Sequence, residues 1–241
     1  MIEVKSKFHV VRYLAKKLSW TDFFRVIRYD GYRGDIAKVP LYYRKKLGHS
    51  CCTDISVPLE VVLSAMKSNT RNEIRRAERV GCIAEKVMRL EDFIPFYNAF
   101  AEGKGLDDRV SMQRLEKYNN LLITQAVNAG KILAMHANVI GDDGDAMLLF
   151  SCSKRLDKGE DGKLIGWANR FLHFKDIEML RQAGVKYYDW CGVCIDKNDS
   201  RYSIGQFKLS LGGVLIESWC IKSPLYAILE LVRGTIRKCM A

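Results

Sequence analysis

The sequence predicts a mixed α/β (α+β) fold, a mixed sheet flanked by helices. Three observations carry this expectation. Short runs rich in aromatic and β-branched residues alternate with stretches whose apolar residues recur every three or four positions. Gly-Asp-Asp-Gly-Asp at 141–145 is a strong hairpin signal between two strand-like runs. Beyond it the order is loop, long helix, strand, helix, strand. At 241 residues, the chain suits one large α/β unit or two smaller ones sharing a sheet.

Taken in order, "FFRVIRY", "KVPLYYRKKL" and "CCTDISV" are expected as strands. After Pro58, Leu59, Val62, Leu63 and Met66 recur with helical spacing. Thr70-x-x-Glu73 resembles a capping box opening a second helix that stops at Gly81. A strand at Cys82–Val87 precedes two helical stretches, "LEDFIPFYNAFAEGKG" and "SMQRLEKYNNLLITQAVNAG". The latter is expected to be capped by Ser111 and stopped by Gly130. "KILAMHANVI" and "AMLLFSCSK" form the hairpin, and a polar loop runs from Lys154 to Gly166. The following helix places Ile165, Ala168, Leu172, Met179 and Ala183 on one face and ends at Gly184. "VKYYDW" is the next strand, "SIGQFKLSLGG" a helix, "VLIESWCI" the last strand, and an amphipathic helix follows Pro224. The expected division is 1–110 and 111–241, packed as one compact unit.

With 48% hydrophobic residues and four prolines, the chain can bury a sizeable core, which excludes a disordered protein. No apolar run approaches the roughly 20 residues a membrane span needs. The N-terminus MIEVKSKFHV lacks a signal-peptide core, so a cytoplasmic location without a membrane span is expected. Eight irregularly spaced cysteines then read as reduced thiols. The net charge of +11, from 39 basic and 28 acidic residues, favours an anionic partner. Zinc-finger spacing, an RNA-binding RNP pattern and a basic tail are all lacking, which weakens the nucleic-acid reading.

"YYDWCGVC", Tyr187–Cys194, looks at first like a thioredoxin-type redox strand end. A redox pair needs its first Cys at a helix N-terminus, whereas a polar loop, "IDKNDSRY", follows here. Only 47 residues remain after Cys194, too few for the rest of such a domain. Zinc would need about four ligands, and Cys220 and His173 are the only additions at hand, so no metal is expected. The two cysteines are taken as incidental.

The 154–166 loop carries more chemistry. It feeds a helix N-terminus, where free backbone N–H groups and the positive end of the dipole favour an anion. Lys154, Arg155, Lys158 and Lys163 add positive charge there, against the plainer alternative of a solvated turn. Arg71, Arg75 and Arg79, spaced by four, make a basic stripe along one helix face, and with Arg76 they could hold a diphosphate; a solvated face is the alternative. His136 sits mid-strand on the same side as Asn138 and is a candidate base; a buried, hydrogen-bonded histidine is its alternative. Asp189, at the next strand's end, is either base, amine anchor or structural carboxylate. His173, inside the helix, reads as packing.

The order of elements resembles the acyl-CoA N-acyltransferase fold called GNAT, and within it the Fem-type branch. The resemblance rests on "SNTRNEIRRAERVG", "AMLLFSCS", "ANRFLHFKDIEMLRQAGVKYYDWCGV" and "IGQFKLSLGG". The recurring pattern is helix, Gly, a strand bearing Tyr-Asp-x-x-Gly, then Phe-Lys-x-x-x-Gly-Gly. The resemblance implies a GNAT-like mixed sheet, possibly as two pseudo-repeated halves, with the acceptor on the first half and the acyl donor on the second. It implies two strands that splay apart around an acyl group at the cofactor loop. The GNAT loop motif has its nearest match at Lys158-Gly159-Glu160-Asp161-Gly162.

On this resemblance the expected function is N-acyl transfer from acyl-CoA to the amine of a nucleotide-linked amino sugar, for cell-surface polysaccharide synthesis. Lys208 is carried over as a lysine near the transfer centre, joining His136 and Asp189 as catalytic candidates. Ser151, Ser153, Lys154, Arg155, Gly162, Lys163, Gly166, Asn169 and Arg170 are expected to hold the cofactor. Arg71, Arg75, Arg76, Arg79, Asn138 and Tyr188 are expected on the acceptor. Two rivals stand beside this: an aminoacyl-tRNA-dependent transferase acting on a peptidoglycan precursor, the only reading with a tRNA partner, and a non-catalytic basic binding module. The helical hairpin associated with tRNA recognition in longer Fem enzymes is not visible in the sequence, which leans toward CoA. A homo-oligomer is compatible with either.

Overall fold

The computed structural model describes residues 1–157, 159 and 161–239, and of 234–239 the helical backbone alone. In chain order the strands are β1 (Ile2–Lys5), β2 (Val10–Tyr13), β3 (Ile27–Tyr32), β4 (Arg44–Asp54), β5 (Ile83–Lys86), β6 (Leu121–Asn128), β7 (Lys131–Ile140), β8 (Asp145–Ser153), β9 (Tyr187–Gly192) and β10 (Val214–Lys222). The helices are α1 (Leu59–Ala65), α2 (Ser68–Arg79), α3 (Leu90–Gly103), α4 (Met112–Leu115), α5 (Gly162–Gln182), α6 (Tyr202–Ser210) and α7 (Pro224–Cys239). Two compact units result, one from 1–50 with 216–241 and the other from 51–215. The expected division at 110/111 falls inside the second.

In the first unit β1, β2, β3, β10 and the first half of β4 lie side by side in that order. β2 runs parallel to β3, and β10 runs antiparallel to it with Ile221 opposite Tyr29. Ile27, Tyr29, Tyr32, Val39, Tyr43 and Ile221 form its core. Asp22 is fully buried there, held by Arg12 at 2.5 Å, the Ser19 N–H at 3.2 Å and the Tyr29 hydroxyl. A buried carboxylate persists only with such partners. "KVPLYYRKKL" is not one strand: Pro40 and its neighbours turn the chain, and β4 starts only at Arg44.

In the second unit the order is β4, β9, β8, β7, β6, β5. β8 and β9 are parallel and the rest of β5–β8 antiparallel. Alternation along β7 sends Ala134 and His136 to one face, Met135 and Ala137 to the other. The first face packs on α5 and α2 through Ile74, Ala77, Ile165, Ala168, Leu172 and Ile177. Phe93, Tyr97 and Ala101 of α3 cover the second against Met135 and Phe150. Along α5 the buried face continues through Ile177 and Leu180 rather than Met179 and Ala183.

Two expectations are corrected here. The stretch after Ser111 is helical only to Leu115, and "LLITQAVN" is strand β6. Ala129 (φ 48°) and Gly130 (φ 77°) both adopt the left-handed conformation. That pair makes the tight turn of a β6–β7 hairpin, so Gly130 turns a hairpin and ends no helix. α2 begins at Ser68, not Thr70. Thr70 is buried, and Glu73 pairs with Arg170 of α5 (2.9 Å) instead of closing a capping box.

Candidate active site

All groups described in this section belong to the second unit. β8 and β9 are paired only from Asp145↔Tyr187 to Met147↔Asp189. From Leu148 onward β8 has no pairing with β9, while on its other edge β7 stays paired to Ser153 with a bulge between Phe150 and Leu148. A cavity of about 480 Å³ opens where the two strands part. Leu148, Ser151 and Ser153 of β8, Trp190 of β9, and Ile165, Gly166, Asn169, Arg170 and His173 of α5 wall it. Phe207 and Lys208 of α6, Phe100 and Lys104 at the end of α3, and Arg155 of the connecting loop line it as well.

Cys191, the penultimate residue of β9, is left-handed (φ 62°). Asp189 stabilises that bend by accepting the Cys191 N–H at 2.7 Å. Such a conformation costs a non-glycine residue about 1 kcal/mol or more and is kept only where neighbours hold it. The bend swings the chain away from β8 and brings the Gly192 carbonyl to the Lys208 ammonium, at 2.9 Å. Burial depresses the Lys208 pKa below that of an ordinary lysine, opposed by the nearby Cys191, Asp189 and Cys51. A partly desolvated cation on a cavity wall is well suited to meet developing negative charge.

His173 forms another part of the wall. Neither ring nitrogen has a hydrogen-bond partner among the described residues, although the side chain is buried. Its ring stacks on His136 with centroids 3.9 Å apart, meets Trp190 edge-on and lies tilted against Phe207. Burial holds its pKa well below the usual imidazole value, helped by His136, Arg170 and Lys208. His173 is in the cavity wall, and a neutral imidazole whose nitrogens hold no hydrogen bond can take a proton.

His136 lies one layer behind. It is fully buried, with Nδ1 at 2.6 Å from Asp176 Oδ2 and Nε2 at 3.0 Å from Asn169 Oδ1. Thr124 donates its hydroxyl to the other Asp176 oxygen at 2.6 Å. Ligand-type atoms of His136, His173 and Asp176 gather within 4.8 Å. The close His136–Asp176 contact and the filled second oxygen make this a hydrogen-bonded relay that fixes Asn169 and supports the His173 ring.

Of the expected cofactor residues, Ser151, Ser153, Arg155, Gly166, Asn169 and Arg170 wall the cavity, while Lys154, Gly162 and Lys163 do not. The α5 start is exposed, but Asp161 caps it by accepting the Lys163 and Leu164 N–H groups at 2.8 and 3.3 Å. Those amides are therefore taken, and positive charge in the cavity wall comes from Lys104, Arg155 and Lys208, with Arg170 there paired to Glu73. Lys158 and Glu160 lie outside the described residues.

Asp189 and His136 are not in the cavity wall, unlike Lys208. Asn138 and Tyr188 are fully buried and bonded to each other at 2.5 Å, bridging β7 and β9, so neither is open to an acceptor. Arg75, Arg76 and Arg79 border a separate surface depression with Asn72 and Glu78. Arg71 donates to the carbonyls of Ser64 (3.1 Å) and Met66, and Arg76 lies over Trp167. Sequence reasoning missed Asp176 and discounted His173, both set in the apolar run "FLHFKDI" that reads as core.

The Gly-Gly of Phe-Lys-x-x-x-Gly-Gly is explained by close approach. Gly212 (φ 86°) ends α6 in the left-handed conformation, and a Cβ on Gly213 would overlap the Cys51 sulfur and press on Trp190 at 3.2 Å. Gly213→Ala is expected to lower stability by about 1–3 kcal/mol, measured by denaturant unfolding. Cys191→Ser is expected to leave activity unchanged in any transfer assay. β9 leads into a loop, and the next helix, α6, begins only at Tyr202, so Cys191 gains no helix N-terminus.

A mixed sheet with helices on both faces, and a cavity between two diverging parallel strands, define a GNAT-like fold. Within it the fold is similar to that of FemX. The crystal structure of FemX superimposes with a TM-score of 0.68 at 12% identity, covering 95% of this chain and 85% of that one. L-PGS from Bacillus licheniformis gives 0.58 at 14% identity, with 98% and 86% covered. A conserved protein of unknown function from Bacteroides thetaiotaomicron gives 0.56 at 11%, with 83% and 71% covered. At these identities the likeness is one of fold. No protein-family model and no curated protein matches the sequence.

Proposed function

We propose that the chain is an N-acyltransferase that moves an acyl group from acyl-CoA to the amine of a nucleotide-linked amino sugar. The observation that carries this reading is the cavity between the parted ends of β8 and β9, with His173 and Lys208 both in its wall. The thioester carbonyl lies in the gap. The acceptor amine adds to it, and His173 takes the proton the amine sheds. Lys208 stabilises the oxyanion, the carbon–sulfur bond then breaks, and the leaving thiolate takes the proton held by His173, giving CoA thiol and the amide. Arg155 supplies charge for the donor's phosphates.

The test is release of free thiol from a panel of acyl-CoAs with nucleotide amino sugars. Release that requires both substrates is expected. Silence across the panel, with no thermal shift on adding CoA, would overturn the donor assignment. The likeness to FemX over most of the chain favours one second reading, an aminoacyl-tRNA-dependent transfer to a peptidoglycan precursor. Salt-sensitive tRNA binding without CoA binding would select it.

The Asp161 cap offers a finer check. Asp161→Ser keeps an oxygen for the cap while removing a negative charge from the start of α5. Affinity for adenosine 3′,5′-bisphosphate, read by titration calorimetry, is expected to rise about two- to fivefold.

A further inference from the structure

A chain of polar groups ends on one side chain of the cavity wall. Thr124 donates to Asp176, Asp176 holds His136 Nδ1, and His136 Nε2 meets Asn169 Oδ1 at 3.0 Å. Thr124, Asp176 and His136 are fully buried, whereas Asn169 is half-buried and lines the cavity. Desolvating a carboxylate and an imidazole costs free energy, which such a chain offsets only while every link is made. An amide oxygen can only accept, so His136 supplies the proton of the last link. The oxygen of Asn169 is thereby committed, and its NH2 is the end left over. That nitrogen has no hydrogen-bond partner among the described residues, yet it is not sealed from solvent.

Its place along the wall is set by the helix. Asn169 and His173 stand one turn apart on the same face of α5, about 6 Å along its axis, and both line the cavity. Gly166 lines it nearer the helix start, and the stretch bearing Arg155 packs against α5. A donor with its phosphates at Arg155 and its thioester at His173 therefore lays its arm along this wall, past Asn169.

We propose that Asn169 is a donor-binding residue whose side-chain NH2 donates to a carbonyl of the pantetheine arm, that of the amide nearest the thioester sulfur. The proposal rests on the acyl-CoA reading above. With the thioester beside His173, that carbonyl follows the sulfur after a short methylene spacer, about one helical turn back along the wall. The buried chain fixes which end of the amide the donor meets. Were the amide turned over, its oxygen would face the carbonyl, and two acceptors make no hydrogen bond. Thr124, Asp176 and His136 thus serve donor recognition without touching the donor.

The test compares CoA with 3′-phosphoadenosine 5′-diphosphate, which is CoA without its arm, by titration calorimetry on the full chain. Asn169→Ala is expected to weaken CoA about three- to tenfold, the worth of one hydrogen bond, and to leave the armless ligand unchanged. Asn169→Asp keeps an oxygen for His136 but offers no donor, so the ratio of the two affinities is expected to fall as far. Taking the ratio cancels the effect of the added charge on the phosphates. Retained binding of the armless ligand shows that each variant is folded. An unchanged ratio in Asn169→Ala would overturn the proposal, and so would equal losses for both ligands. An unchanged ratio in Asn169→Asp alone would also overturn it, because the oxygen would then be the end that meets the arm. A parent protein that fails to bind CoA overturns the donor reading and this proposal with it. A parent that binds CoA, with variants that keep its ratio, overturns this proposal alone.

Discussion

His173→Gln is expected to lower kcat/KM for acyl transfer by about 100- to 10,000-fold, the range for losing a general base. Glutamine keeps polar atoms in the cavity wall, so the loss reads on proton transfer more than on packing. The pH profile separates a base from a merely structural histidine. The neutral ring is the active form, and burial holds its pKa well below the usual value. In the parent protein kcat/KM should therefore be level through neutral pH and fall only as pH drops through that lowered pKa. The variant should lose this acidic limb. An unchanged limb would remove His173 from the chemistry.

Lys208→Met is expected to cost about 100- to 1,000-fold in kcat with little change in KM, the pattern for a group that acts on charge developing in the transition state. Here the protonated form is active. Since burial lowers its pKa, activity should fall as pH rises through a value below that of an ordinary lysine, and the variant should lack that alkaline limb. Lys208→Arg keeps a cation but not its geometry against the Gly192 carbonyl, and partial recovery is expected. A KM effect alone would make Lys208 a binding residue.

Much of the second unit was legible in the sequence because its signals are local. The Gly-rich turn at 141–144, the stop at Gly184 and the apolar period of α5 each act over a few residues. The order they spell led to the parted strands and to Lys208. β6 was not legible, since its turn uses Ala129 in a left-handed conformation where Asn or Gly is the familiar signal. Alternation correctly put His136 and Asn138 on one side of β7, but it carries no information about depth. α5 covers that face, which makes His136 a support for Asn169 and Asn138 a partner for Tyr188. The first unit escaped for another reason. β10 returns from the far end of the chain to pair with β3, and no local pattern announces such a pairing.

The parting of β8 from β9 leaves β8 a half-finished ribbon in the interior of the sheet, its unpaired edge running on past Leu148, whose carbonyl accepts from the Cys191 thiol at 3.2 Å. A ribbon in that condition reads backbone-like chemistry, donating and accepting at strand spacing whatever the side groups are. Donors would thus be sorted by the amide groups along their arm more than by the acyl cargo at its tip. One scaffold could then accept several acyl groups, leaving the choice of cargo to the few side chains at the cavity floor.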